Sequence, residues 1–385
     1  MPWPTKKLGE ACEIISPGIK EFECSKKYVA TADVDCDKIT NFTEITYKNR
    51  PIRANIEVKE NDILVARMAE TKKFLMADKN LQNNYIFSTG FAALRVKEEL
   101  IPKYLFYFLT TKDFNLQKDK LAVGATQKAI NNPALKKIKI PIPPLKIQQK
   151  IVKRLDEIKK AQELNDKQIE LAEELFQSLL HRELDPKGKN WEVKKLGDVC
   201  EIARGGSPRP INKYLTKSSD GINWIKIGDV KEGEKYITST AEKIKPEGIS
   251  KTRLVQEGDL ILSNSMSFGR PYILKISGAI HDGWLLLHIN NANEILQDFL
   301  YYILGTTQTK IQFEKFASGG VVKNLNSDLV RRVKIPLPPL ETQQKIVEKL
   351  SAVQEYKKKL LDQKQKLQEL FESVLNKSFK GELVG

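Results

Sequence analysis

Hydrophobic positions along this chain of 385 residues follow two regimes in turn, and the pair of regimes occurs twice. In the first regime the apolar runs are short. Asp62–Ala66 (DILVA) and Phe91–Val96 (FAALRV) predict buried strands, and Asp259–Leu262 (DLIL) is the counterpart of the former in the second half. Both DILVA and DLIL follow a turn signal, Glu60-Asn61 and Glu257-Gly258, which favours a structural role for the acidic residues at these strand starts. Two aromatic stretches, Tyr104–Leu109 (YLFYFL) and Phe299–Leu304 (FLYYIL), are crowded enough to predict helices packed into a core rather than base-stacking surfaces. Each globular part then closes in a loop, Gly124–Asn131 (GATQKAIN) and Gly319–Asn326 (GGVVKNLN). The fold class is α/β of the α+β kind.

The second regime has a seven-residue period. One segment places Ile151, Leu155, Ile158, Ile169, Ala172, Phe176 and Leu179 in steps of four and three, with Gln162 and Asn165 filling the frame. The other places Ile346, Leu350, Val353, Leu360, Leu367, Phe371 and Val374 likewise, with Lys357 and Lys364 as its polar members. A seam sustained this long predicts a coiled coil, a rod of roughly 55–60 Å at about 1.5 Å per residue. The polar members either set register or mark a looser middle. Each seam needs a partner, and the chain supplies two of matching length. A two-fold relation between the halves makes the helices antiparallel, with a globular unit at each end of the rod.

The repetition is written in the sequence itself. Lys6–Ile14 (KKLGEACEI) returns as Lys194–Ile202 (KKLGDVCEI), displaced by 188 residues. Ile138–Val152 (IKIPIPPLKIQQKIV) returns as Val333–Val347 (VKIPLPPLETQQKIV) and Glu174–Leu180 as Glu369–Leu375, both displaced by 195. The prolines Pro141, Pro143 and Pro144, and their counterparts Pro336, Pro338 and Pro339, bar a helix from running through, so they stiffen the exit from each globular unit. The resulting boundaries are 1–144, 145–184, 185–339 and 340–385.

Charge narrows the partner. The formal net charge is +15, of which the segments Leu145–Arg182 and Leu340–Lys380 hold only +1 and +3. The globular parts therefore carry +11, an excess that favours a polyanion. No run approaches the roughly 20 apolar residues of a membrane span. Of four cysteines, Cys12 and Cys200 share one repeat position, which predicts a common buried role and no bond between them. With no CxxC and no ligand spacing around His181, His281 or His288, neither a metal site nor a cofactor is expected, and the compartment expected is a reduced cytoplasm. Methyltransferase loops of the D/N-P-P-aromatic type, Gly-rich cofactor loops and Walker loops are missing, and Asp78 and Lys79 have no acidic strand to support a nuclease. A non-catalytic chain is expected.

Two units opened by W…KKLG and closed by IP(I/L)PPL..QQKIV, each followed by a long helix ending in ELFxSxL, resemble the specificity subunit of type I restriction–modification systems. The resemblance covers essentially the whole chain. The string GINWIKIGDV, beginning at Gly221, is similar to a GxxPWIxIxD stretch of that family's target recognition domains, with Asn223 where many have proline. The first unit shows no clear equivalent, which predicts a different recognition subfamily and a different half-site. The resemblance implies binding of double-stranded DNA at a bipartite, asymmetric target, the paired helices acting as a ruler for its spacer. It implies as partners two methyltransferase subunits and two restriction and translocation subunits, which hold the catalytic activity. The alternative is a non-catalytic coiled-coil scaffold whose basic heads bind other nucleic acid or protein.

Base reading needs Arg, Lys, Asn or Gln on loops, whereas phosphates need only donors and charge. In the second unit the candidates are Arg204 and Arg209, which flank the Gly205-Gly206 loop, then Lys213 and Lys226 for phosphates, and Asn264 and Arg270 after the DLIL strand. In the first unit they are Arg67, Lys72 and Lys73 after DILVA, with Gln127 and Lys128 in GATQKAIN. Lys323 occupies the repeat position of Lys128. Trp284 and His281 in HDGW read as core and turn residues.

Overall fold

The computed structural model describes residues 3–125, 127–230, 233–264, 269–317 and 325–382. They form two compact units, Met1–Lys167 with Leu361–Gly385, and Gln168–Leu360. The division cuts both long helices, Leu145–Leu184 and Leu340–Lys380, so each unit owns the start of one helix and the end of the other.

The first unit is built on two four-stranded sheets. One is antiparallel throughout, in the order Cys12–Ile14, Phe91–Val96, Ile63–Ala66, Phe74–Met76. The other runs Thr43–Ile45, Lys26–Val29, Tyr85–Ser88, Ala54–Ile56, its middle pair parallel. The DILVA run is apolar on both faces because it separates two cores. Ile63 and Val65 face the aromatic helix Pro102–Thr110, and Leu64 and Ala66 share a second core with Phe87 of the other layer. Tyr104–Leu109 are all buried, as expected of core residues.

The second unit repeats the plan with one more strand in each sheet. Cys200–Arg204, Trp284–Ile289, Leu260–Ser263 and Pro271–Leu274 reproduce the antiparallel order, extended by Tyr236–Ile237. The second sheet keeps a parallel pair, Ile222–Ile225 with Gly278–Ile280. Superposing these orders corrects one expectation from sequence. The GINWIKIGDV strand does have an equivalent in the first unit, Lys26–Val29, and each leads into a one-turn helix, Ile227–Asp229 and Thr31–Asp33. In both, an aspartate accepts the backbone N–H three residues earlier, Asp229 from Lys226 at 2.7 Å and Asp33 from Ala30 at 2.9 Å. The strings share little beyond that Asp-Val, because the turn constrains only the capping carboxylate.

The repeated QQKIV block has a physical cause. Gln148 donates to the carbonyls of Glu99 and Pro143 and accepts the Ile101 N–H, all at 2.9 Å. Gln343 makes the same three bonds with Glu294, Pro338 and Leu296, again at 2.9 Å. Both side chains are fully buried. Each ties the first turn of a long helix to the loop that starts the aromatic helix, satisfying groups that burial would otherwise orphan.

Along the helices, the seam positions are buried or half-buried except Lys364. In the first unit Gln162 Nε2 donates to the Leu367 carbonyl (3.2 Å) and Lys364 pairs with Asp166 (2.8 Å). Nearer the globule, Phe371 and Phe379 close on Tyr107 and Tyr104. In the second unit Lys357 pairs with Glu173 (2.6 Å) and Lys349 with Glu183 (3.1 Å). Numbers rise along one helix as they fall along the other, so the helices are antiparallel. Gln162, Lys357 and Lys364 bond across the seam, which favours the register role over a loose middle.

Candidate nucleic-acid interface

In both units one turn gathers the loops that sequence reasoning singled out. It joins the second sheet to the first: Thr89-Gly90 in one unit, His281-Asp282-Gly283 in the other. In the first unit the Arg67 N–H donates to the Gly90 carbonyl and the Arg67 carbonyl accepts the Ile130 N–H, both at 2.9 Å. In the second, Asn264 donates to Gly283 (2.9 Å) and accepts from Leu325 (3.1 Å). Arg67 and Asn264 thus occupy one structural position.

Their side chains turn back onto the fold. Arg67 is half-buried, with Nε donating to the Phe91 carbonyl (3.0 Å) and Nη1 to that of Ile130 (3.3 Å), and burial pushes its pKa below the ordinary value. Asn264 is buried and donates from Nδ2 to the Asp282 carbonyl (2.8 Å). Both brace the turn, because a buried donor must find an acceptor within the fold. Lys73 behaves alike, its ammonium on the Thr31 carbonyl at 2.8 Å.

What they brace is exposed. The Ala69 N–H meets the Lys128 carbonyl at 2.9 Å, so the loop carrying Lys72 lies against the loop carrying Gln127 and Lys128, all three exposed. Gly124 makes that second loop possible, since a Cβ there would stand 2.3 Å from the Gln127 carbonyl oxygen. Fully buried Lys118 donates to the Thr71 carbonyl and Asp119 accepts the Glu70 N–H (2.9 Å), so two successive helix residues hold two successive loop residues.

In the second unit the Gly205-Gly206 loop presses onto the turn. The Gly205 N–H reaches the Trp284 carbonyl (2.9 Å), and a Cβ on Gly205 would lie 2.2 Å from the His281 carbonyl oxygen. Asp282 is the hub. Its carboxylate accepts from the Ser207 hydroxyl (2.8 Å) and lies 2.9 Å from His281 Nε2 and 3.7 Å from Arg209 Nη2, while its carbonyl accepts Arg204 Nε (3.2 Å). Burial pushes this carboxyl up, but Ser207, His281, Arg209 and Arg204 outweigh it and hold its pKa below the ordinary value. Arg209, 82% exposed, overhangs an open cleft of ≈ 770 Å³ lined also by Asn212, Trp224, Lys226, Glu242 and His281. Lys226 pairs with Glu242 at 2.9 Å. Lys213 is exposed and Arg270 half-buried. Lys323 lies outside the described residues.

Sequence reasoning missed Asp282 and the segment Lys48–Arg53, although the basic string KNRPIR was there to be read. Among the described residues no cluster of His, Cys, Asp and Glu could hold a metal ion, and no helix is long and apolar enough to cross a membrane. Cys12 and Cys200 are both buried, and burial pushes both thiols up to about 12. Asp62 and Asp259 each accept a turn N–H ahead of their strand, from Lys59 (2.6 Å) and Gln256 (2.7 Å), and Asp78 caps a short helix through Leu81 (2.7 Å).

Comparison with known proteins agrees with the doubled plan. The chain is 24% identical to the type I restriction enzyme MjaVIII specificity subunit of Methanocaldococcus jannaschii, over 99% of this chain and 93% of that one. In fold it resembles a chain from a structure of complex assembly and conformational transition of the type I R-M system, with TM-score 0.71, 22% identity and coverage of 99% and 98%. It also resembles the HsdS subunit of Thermoanaerobacter tengcongensis, with TM-score 0.57, 23% identity and coverage of 99% and 97%. The model of the type I restriction modification DNA specificity domain matches residues 1–174 and again 188–370, one match for each repeat, and the chain belongs to that family.

Proposed function

We propose that the two loop rims gathered at Thr89-Gly90 and at His281–Gly283 are the DNA-reading faces of this specificity subunit, one for each half of a bipartite target. The carrying observation is the convergence of exposed Lys72, Gln127 and Lys128 around one turn, and of Arg204 and Arg209 around its equivalent. Such groups suit the two tasks of a reader, bidentate contact with base edges and neutralisation of phosphates. Because the two rims carry different side chains, the half-sites differ and the target is asymmetric. Arg67, Lys73 and Asn264 support these faces from behind. Lys213, Lys226 and Arg270 contribute along the second face, and Lys323 would join it as the counterpart of Lys128.

In this reading the chain chooses the site for two methyltransferase subunits and two restriction and translocation subunits, in the cytoplasm, and has no chemistry of its own. Methylome sequencing with and without the chain tests it. A bipartite methylated motif should vanish when the chain is removed, and failure of any such motif to vanish sinks the assignment. Charge reversal at Lys128 or Arg204 should weaken specific binding well beyond a random surface lysine. Wild-type affinity in those variants would dismiss the rims as the contact surface.

A further inference from the structure

We propose that Ile52 is a specificity-determining residue of the first DNA-reading face, touching the 5-methyl group of a thymine in the major groove while Arg50 and Arg53 engage flanking phosphates. The proposal deepens the DNA-reading role given above to the first rim and rests on it.

Ile52 is 97% exposed, the most exposed of the large apolar side chains among the described residues. It stands at the tip of the tight turn Pro51–Ala54, closed by the Ala54 N–H on the Pro51 carbonyl at 2.8 Å. Turn tips favour Gly, Asn, Asp, Ser and Pro, each for a local backbone reason, and a β-branched apolar side chain supplies none of these. The turn itself therefore does not call for it.

The base beneath the tip is firm. Ala54 and Ile56 are buried as the chain returns into the sheet. Asn49 Oδ1 accepts the Thr46 N–H at 2.6 Å. The Arg50 guanidinium stacks 3.8 Å from the Tyr47 ring centroid and donates to the Tyr47 carbonyl, and that ring packs edge-on against Phe22. The tip also belongs to the rim. The Arg53 carbonyl accepts the Thr89 N–H at 2.9 Å, and adjacent Gly90 accepts from Arg67, which leads on to the Gln127–Lys128 loop. Backbone bonds thus run without a break from the isoleucine to the basic residues of the first face.

Charge selects the occupant. Lys48, Arg50 and Arg53 flank the tip in sequence, so a polyanion covers it with less conflict than an apolar protein surface would. On duplex DNA the apolar feature presented to a side chain in the major groove is the thymine methyl. At the equivalent place in the second unit no such tip stands among the described residues. There the segment before Arg253–Val255 is the 3₁₀ helix Pro246–Lys251, and its Ile249 is half-buried. Thymine reading by this device is then confined to one half-site.

The test uses the full chain with its methyltransferase partner on a duplex bearing its own methylated motif. Each thymine is replaced singly by deoxyuridine, which removes only the methyl. At one thymine the replacement should weaken wild-type binding about fourfold, the value of one methyl-sized apolar contact. Ile52→Ala should be weakened about as much on the thymine duplex and be indifferent to the replacement. An Ile52→Ala complex that still senses every methyl the wild type senses overturns the proposal, as does a wild type that senses none. Ile52-dependent bending of the duplex without methyl dependence would make the tip a wedge between base steps, and overturns it too. A wild type that cannot tell its motif from a scrambled duplex defeats the DNA-reading role itself, a separate failure visible in the first control.

Discussion

Arg95 grips Asp62 at two points, Nε on Oδ1 at 2.8 Å and Nη2 on Oδ2 at 2.7 Å, and so clamps the turn that precedes the central strand of the first unit. Asp62 is 1% exposed. In the second unit His288 Nδ1 takes that place, 2.7 Å from Asp259 Oδ1.

Arg95→Met keeps the apolar stem and removes both donors. A buried carboxylate that loses a charged partner costs about 1–3 kcal/mol, and the lower half of that range applies because Arg95 is partly exposed. Hydrogen exchange should quicken in 59–66 and 91–96 and stay unchanged in 256–263. Equal quickening in both units would remove the local clamp as the explanation.

Gln148→Leu and Gln343→Leu should cost alike. Each strands two carbonyls and one N–H inside the protein, about 1–3 kcal/mol for each group left without partner or water. Exchange at Ile101 and Leu296, whose N–H groups the glutamines accept, is the direct reporter. Protection retained at either position would show that the side chain does not hold the loop.

The cross-seam pair Lys357–Glu173 should yield about 0.2–1 kcal/mol in a double-mutant cycle, since both ends are partly exposed. Its pH dependence has a definite sign. The hydrogen bonds from Lys357 and Gln177 hold the Glu173 carboxyl below its ordinary value. The pair therefore stabilises fully above the unfolded carboxylate range, near pH 4.3, and the contribution fades as pH falls through the depressed value. Exchanging the two charges should restore stability lost by either reversal alone. A cycle with zero coupling at neutral pH would refute the register role of Lys357.

Thiol labelling at pH 8 should modify exposed Cys24 and Cys36 in the folded chain and spare Cys12 and Cys200 until it unfolds. Burial raises the last two to about 12, so the neutral thiol is what the fold stabilises. That contribution is complete below the unfolded value near pH 8.5 and is lost as pH climbs toward 12. Peptide mass spectrometry after brief alkylation reads it directly.

The doubled plan, the buried strands, the aromatic core helices and the seam were all legible in the sequence, because each is a local period or a repeated string. Less was legible of the rims. Nothing local distinguishes Arg67, which is spent on Phe91 and Ile130, from Lys128, which is exposed. The difference depends on where residues 24 and 63 positions away close over the first of them. The Lys26–Val29 strand escaped notice for a related reason. Its turn needs one aspartate, so Asp33 and Asp229 agree while Tyr28 and Trp224 only share an aromatic character. Ile52 stood in plain view, but exposure is a property of the folded tip and not of the letters around it.

Trp3 donates its indole N–H to the Ser378 carbonyl at 2.8 Å, and Phe379 packs on Tyr104 and Phe108. The unit that holds Trp3 and Tyr104 is thus walled by residues that come after the whole of the second unit in the chain. During synthesis the second unit, Gln168–Leu360, is complete in sequence before the first has its closing helix. The earlier-made globule must wait, its aromatic wall uncovered, for the length of time the ribosome takes to reach Phe379.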